Sequence, residues 1–204
     1  MATHFNFKAP TNFNYSPAGL IRFILFAICA AGKRSDTVAP KVAAFEDIIP
    51  LTELARWAER PDVICAALQH ATCKMGQYKL KTRGFIALAG QLASNPNWLS
   101  ECTVEELEAI PGISQKTARF FLLHTRPAQR VLVLDTHLSK ALRELDVPNI
   151  PIVDYRRPVS KRAYMLAEES FLTWADTQDW NNPADPAAMA RFDIERWSAF
   201  SLSV

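Results

Sequence analysis

Two residues of this chain carry reactive groups at telling positions. Lys116 closes the run Ile110-Pro111-Gly112-Ile113-Ser114-Gln115-Lys116, where an amphipathic helical stretch stops at Pro-Gly and restarts at Ser114. A turn this tight points backbone N–H groups outward at the start of a new helix, and such groups bind an anion without needing a side chain. Asp135 lies about twenty residues further on, between the apolar stub Val131 to Leu134 and another helical run. A lysine amine is a nucleophile once neutral, and a carboxylate stabilises positive charge developing beside it. An anion-gripping turn, an amine on the helix it starts and a downstream acid suggest chemistry on a nucleic-acid backbone or sugar. Each residue also has a plainer role open to it. Asp135 suits the N-cap of a helix from Thr136, Lys116 suits a solvated first turn, and His137 suits a structural hydrogen bond.

The elements that must position these groups read as helices almost throughout. Ser16-Pro17 is a helix start (a cap followed by proline at the first position), and that helix runs to a stop at Gly32. Ser35 or Asp36 caps a second helix, Thr52 opens a short third through Trp57, and Pro61-Asp62 opens a fourth. After a break at Met75-Gly76-Gln77, a long helix from Tyr78 turns Leu80, Phe85, Ile86, Leu88, Ala89 and Leu92 inward and ends at Asn95-Pro96-Asn97. Thr103 to Glu106 reads as a capping box ahead of the hairpin. A helix then covers Gln115 to His124. The Val131 to Leu134 stub is too short for a sheet and has no partner strand, and Pro148, Pro151 and Pro158 mark an irregular stretch. Helices over Ser160 to Ala175 and Pro186 to Phe200 complete an all-α chain.

At 204 residues, 49% of them hydrophobic, the chain can bury one good core or two small lobes sharing a cleft. The net charge is only +2, so contact with a polyanion must come from local clusters. Those clusters are Lys33-Arg34, the Lys74/Lys79/Lys81/Arg83 group, and Arg156-Arg157 with Lys161-Arg162; solvated helix faces account for such clusters equally well. The apolar run Leu20 to Ala31 is too short to span a bilayer and contains Arg22, which favours a buried helix and no membrane association. The N-terminal stretch Met1 to Phe13 has no signal-peptide character. Cys29, Cys65, Cys73 and Cys102 lack CxxC spacing and paired histidines, so no metal, cluster or other cofactor is expected, and reduced cytoplasmic thiols are.

The hairpin Ile110-Pro111-Gly112-Ile113-Ser114-Gln115-Lys116-Thr117-Ala118 and the segment Leu134-Asp135-Thr136-His137 resemble two motifs of the helix-hairpin-helix base-excision DNA glycosylases, the endonuclease III superfamily. Gly76-Gln77-Tyr78-Lys79-Leu80-Lys81 resembles that family's loop into a DNA-facing helix, and the helix from Pro17 with the turn Ala31-Gly32-Lys33-Arg34-Ser35-Asp36-Thr37 resembles its first barrel helix. The blocks fall in family order over about residues 16 to 145. The resemblance implies two helical lobes flanking a DNA-binding cleft: a six-helix barrel over residues 16–130 that includes the hairpin, and a second lobe of 1–15 plus 131–204 that carries Asp135. It implies a monomer acting on double-stranded DNA, in the cytoplasm of a cell or of a phage's host. Lys116 and Asp135 would be catalytic, and Gly112, Ile113, Ser114, Gln115, Thr117, Gly76, Gln77, Tyr78, Lys81 and Lys33 would contact DNA. Family members without a lysine at this place activate water and only remove the base, so Lys116 implies a bifunctional glycosylase and lyase.

The chain also departs from the family pattern. Ser114 replaces the second hairpin glycine, with some backbone strain expected from a side chain there. No cysteine follows Cys102, so the C-terminal iron–sulfur loop of some branches is missing, as it is in the 8-oxoguanine branches. Gly32-Lys33 stands where endonuclease III relatives place a gap-filling glutamine, and Gln77 stands at the position that usually supplies a hydrophobic wedge. Those positions choose the base, so its identity stays open. Two other readings stay open as well: a phage-type enzyme of this fold that transfers an amine or amino acid onto an activated 5-hydroxymethyl pyrimidine in DNA, and a non-catalytic hairpin module that only binds DNA.

Overall fold

A computed structural model describes residues 6–31, 33–151 and 159–201, without the side chains of the last two. The expected helix stop at Gly32, the Arg156-Arg157 pair and Pro158 lie outside the described residues. Among the described residues the chain is all-α: α1 (Pro17–Ala30), α2 (Ser35–Ile48), a 3-10 turn (Leu51–Trp57), α3 (Pro61–Gln69), α4 (Tyr78–Ser94), α5 (Trp98–Glu101), α6 (Val104–Glu108), α7 (Gln115–Thr125), α8 (Thr136–Glu144), α9 (Lys161–Ala175) and α10 (Ala188–Ser201). The third expected helix is thus a 3-10 segment that begins at Leu51 after Pro50. No described helix is long and apolar enough to cross a membrane.

The chain divides into two compact units, one of residues 1–10 and 14–121, the other of residues 11–13 and 122–204. In the first unit α1 is the central element, because its apolar residues run almost without interruption and it is buried from Gly19 to Cys29 except at Arg22. Arg22 is accommodated by a two-pronged bond to Glu46 of α2, at 2.8 and 2.5 Å, a geometry that matches guanidinium to carboxylate. Helices α2, α4 and α5 pack against α1, and α3 and the 3-10 turn pack on α4. Phe23 is met edge-on by Tyr15, Phe120 and Phe121, and Phe45 meets Phe85 at 5.2 Å. Edge-to-face contacts of this kind let rings fill the core at favourable quadrupole geometry.

In the second unit α8 packs against α10. Trp180 stacks on Phe192 at 4.3 Å, within a group that includes Phe171 and Trp174, and Arg196 lies over the Phe192 ring. Trp174 and Trp180, both half-buried, form the aromatic group of this unit with Phe171 and Phe192. The Val131 to Leu134 stub is extended and unpaired by any strand, and its backbone polar groups go to α9 instead. Tyr164 Oη accepts from Leu134 N at 2.9 Å and donates to the Leu132 carbonyl at 2.6 Å, while Glu168 Oε1 accepts from Leu132 N at 2.8 Å. The spacing explains the fit. Two residues along an extended chain advance about 6.6 Å, close to the roughly 6 Å between i and i+4 on a helix.

Candidate nucleic-acid interface

The hairpin grows from local rules. The Thr103 hydroxyl accepts from Glu106 N at 3.2 Å, and Glu106 Oε2 accepts from Thr103 N at 2.7 Å, completing the expected capping box of α6. Ile113 N then donates to the Ile110 carbonyl at 3.0 Å around Pro111 and Gly112, and Gly112 has φ +91°. Proline at the second position and a left-handed glycine at the third make this a type II turn, which no other residue enters without strain. Arg119 on α7 pairs with Glu108 on α6 at 2.8 Å and ties the two arms together.

Ser114 corrects one expectation. Its φ is not left-handed, so it carries no strain of that kind. Its hydroxyl accepts from Thr117 N at 3.2 Å and sits 3.0 Å from the Thr117 hydroxyl, which makes Ser114 the N-cap of α7. Serine here is a capping residue in its own right. Ile113 and Thr117 are buried, whereas Ser114 and Lys116 are exposed and Gly112 and Gln115 are half-buried. Any grip on phosphate at this turn therefore belongs to backbone amides, Gln115 and the Lys116 ammonium, with Ile113 and Thr117 as anchors.

The hairpin rests on α4 through a glycine that sequence reading passed over. A Cβ on Gly84 would lie 2.2 Å from the Pro111 carbonyl oxygen, so the turn sits directly on the helix backbone. Nothing in the sequence marks this glycine, because its partner is about thirty residues away and the contact is one of shape.

The second expected DNA-facing segment, Gly76 to Lys81, is built differently. Lys74, Gly76 and Gln77 all have left-handed backbone, with φ of 40°, 63° and 49°. Gln77 is exposed at the N-cap of α4 and makes no side-chain capping bond; Tyr78 is half-buried. Lys81 was expected to face phosphate. It is instead 1% exposed, and its ammonium donates to the carbonyls of Met75 and Gly76, each at 2.9 Å. The reason is geometric: a helical Cα–Cβ bond tilts toward the N-terminus, so a long side chain in the second turn reaches back over the preceding loop. Lys33, exposed, also donates to the Met75 carbonyl, and Lys41 of α2 donates to the Lys74 carbonyl at 3.2 Å. Burial holds the Lys81 ammonium down at about 8, and the neighbouring Lys33 and Lys41 work in the same direction. Burial likewise pushes the nearby Cys29 thiol up to about 12, which leaves it an inert core thiol.

Asp135 lies in the second unit as the N-cap of α8. Its Oδ1 accepts from His137 N at 2.9 Å and from Leu138 N at 2.7 Å, so the capping role foreseen for it is occupied. Among the described residues no hydrogen bond reaches Oδ2. The stub leading to it is fixed by Tyr164 and Glu168, two positioning residues with no local sequence signal beyond their i, i+4 spacing. His137 meets Trp197 edge-on at 6.2 Å, and its buried Nδ1 has no hydrogen-bond partner. Lys116 belongs to the first unit and Asp135 to the second. No group of three or more histidine, cysteine, aspartate or glutamate side chains that could hold a metal ion occurs among the described residues. No protein-family model matches this chain, and neither the curated proteins nor the solved structures compared with it contain a significant match.

Proposed function

We propose that the chain is a DNA base-excision glycosylase with lyase activity, acting on a flipped damaged or modified base in double-stranded DNA. The observation that carries this reading is the turn-and-cap geometry around Lys116: a type II Pro-Gly turn, a serine-capped helix, and an exposed lysine in its first turn. Such a helix start offers amides and positive potential to a phosphate, and places an amine beside the gripped backbone.

In this reading the Lys116 amine, once neutral, attacks C1′ of the sugar. The N-glycosidic bond breaks and the base leaves with a proton; the C1′–O4′ bond then opens, O4′ taking a proton, and the resulting iminium acidifies C2′ so that the 3′ phosphate departs by β-elimination. Asp135 stabilises the oxocarbenium character at the sugar through Oδ2, while Oδ1 stays on the helix amides that orient it. The carboxylate is thereby locked in place without spending both oxygens.

The test is borohydride trapping on a panel of duplexes carrying 8-oxoguanine, oxidised thymine, uracil, 5-hydroxymethyluracil or an abasic site. The expected result is a covalent adduct on at least one duplex that disappears in Lys116→Ala. A Lys116→Ala enzyme that still nicks DNA at the lesion would sink the imine mechanism. Bound duplex with no adduct anywhere would move the reading to base modification or to water-activated base removal.

A further inference from the structure

The loop before α4 holds an unusual charge arrangement that the reaction above does not use. Three ammonium groups converge on three consecutive carbonyls: Lys41 on Lys74, Lys33 and Lys81 together on Met75, and Lys81 also on Gly76. Among the described residues, no carboxylate is a hydrogen-bond partner of these amines. The groups facing Lys81 are the Cys29 thiol from α1, the Lys33 ammonium that follows α1, and the Lys41 ammonium from α2. Two ammonium ions sharing one carbonyl, one of them buried, repel each other with little solvent screening. Carbonyl dipoles offset part of that repulsion, and leaving a proton off the buried member relieves the rest.

The same loop is strained, with left-handed backbone at Lys74 and Gln77, neither of them glycine. Lys81 is a positioning residue for this loop, because it is buried and its hydrogen bonds go to the loop carbonyls of Met75 and Gly76. Lys33 is the exposed member and the one an external anion reaches first. A phosphate placed against Lys33 adds negative charge next to the pair and removes the reason for Lys81 to lack its proton.

We propose that this loop couples its grip on a DNA phosphate to the uptake of one proton by the Lys33–Lys81 pair, with Lys81 Nζ as the acceptor. The inference rests on the DNA reading above. The proton comes from solvent or buffer onto the Nζ lone pair, and no covalent bond other than N–H is made. Loading the pair with its full charge strengthens both the clamp on Met75 and Gly76 and the attraction for the phosphate. DNA affinity then becomes a function of pH in a range where ordinary lysines do not titrate.

Calorimetric titration of a short duplex carrying a tetrahydrofuran abasic-site analogue tests this at pH 8 in buffers of differing ionisation enthalpy and equal ionic strength. With the amine held near 8, about half the molecules lack the proton at that pH. The expected uptake is up to roughly half a proton per duplex bound, and affinity should fall up to about tenfold between pH 7 and pH 9. Lys81→Met should bind with no uptake and a flat profile. Should Lys81→Met fold poorly, Lys33→Gln changes an exposed residue and should lower the uptake. Wild-type binding with no uptake, or uptake unchanged in both variants, overturns the coupling. Absence of duplex binding at either pH removes the DNA reading itself, and this inference with it.

Discussion

Helices α4 and α7 both begin at a glycine-bearing loop with lysines close by, yet different forces hold the two starts. At α7 the turn closes on itself: Ile113 bonds Ile110, Gly112 takes the left-handed position, and Ser114 caps. Lys116 is left exposed. At α4 the cap is Gln77, left-handed and without a capping bond, and the loop is held by lysines from α2, from the segment after α1, and from α4 itself. The difference teaches that a lysine near a helix start is not by that fact a ligand for phosphate. Where local backbone rules complete the turn, as before α7, the lysine is left exposed. Where they do not, as before α4, a lysine is buried to hold the loop.

The sharpest way to break the α7 side of this comparison is Gly84→Ala. Its Cβ would enter the space of the Pro111 carbonyl oxygen, a backbone atom that yields only if the turn moves. The expected loss is about 3 kcal/mol of stability, the upper range for overpacking, measured by denaturant unfolding. A loss below about 0.5 kcal/mol would show that the hairpin does not depend on this seat.

Next in size is a pair of opposite substitutions at left-handed residues. Gly112→Ala forces a side chain to φ +91° and should cost about 2 kcal/mol. Gln77→Gly removes one from φ +49° and should gain about 0.5 kcal/mol, after the extra entropy of glycine in the unfolded chain is subtracted. Stabilisation on replacing Gln77 and destabilisation on replacing Gly112, in the same unfolding assay, separate a turn fitted by local rules from one held under strain. Equal signs would remove the distinction.

Ser114→Ala should cost about 1 kcal/mol, the usual value of a lost cap, and Ser114→Gly only a few tenths. That ordering is the one a serine cap without backbone strain requires. If glycine were the more stabilising residue, the serine would be strained after all.

How much of this was legible in the sequence follows from the reach of each interaction. The capping box at Thr103, the Pro-Gly turn and the cap at Asp135 were readable because each is completed within a few residues. The all-α class followed from helical periodicity and the absence of a partner for the Val131 stub. Burial of Lys81 was not readable, since Lys79 and Lys81 look alike in the sequence and only packing of α1 and α2 over the loop separates them. Nor was the role of Tyr164 and Glu168, whose partners are about thirty residues upstream. The resemblance pointed to Gly112 and Lys116 through a motif, and it pointed to Lys81 through the same kind of motif with a different structural result.

The last expected effect lies on the α4 side and concerns pH. The Lys81 ammonium is held near 8 in the folded chain against an ordinary 10.5. Between those values the unfolded chain binds more protons than the folded one, so stability rises with pH. Below about 8 both states are protonated, and the folded chain bears the full penalty of a buried charge. From 8 to 10.5 that penalty is progressively relieved. Other groups titrate in the same range, so the informative quantity is the difference between wild type and Lys81→Met, measured by urea unfolding at pH 7, 8, 9 and 10. Wild type should gain on the variant as pH rises. A difference that stays flat would mean that Lys81 keeps its proton throughout and that the carbonyls of Met75 and Gly76 fully compensate its burial. A difference that shrinks would mean that the clamp requires the charged form so strongly that its loss loosens the loop, which would assign the Lys33–Lys81 repulsion a lesser part than the geometry gives it.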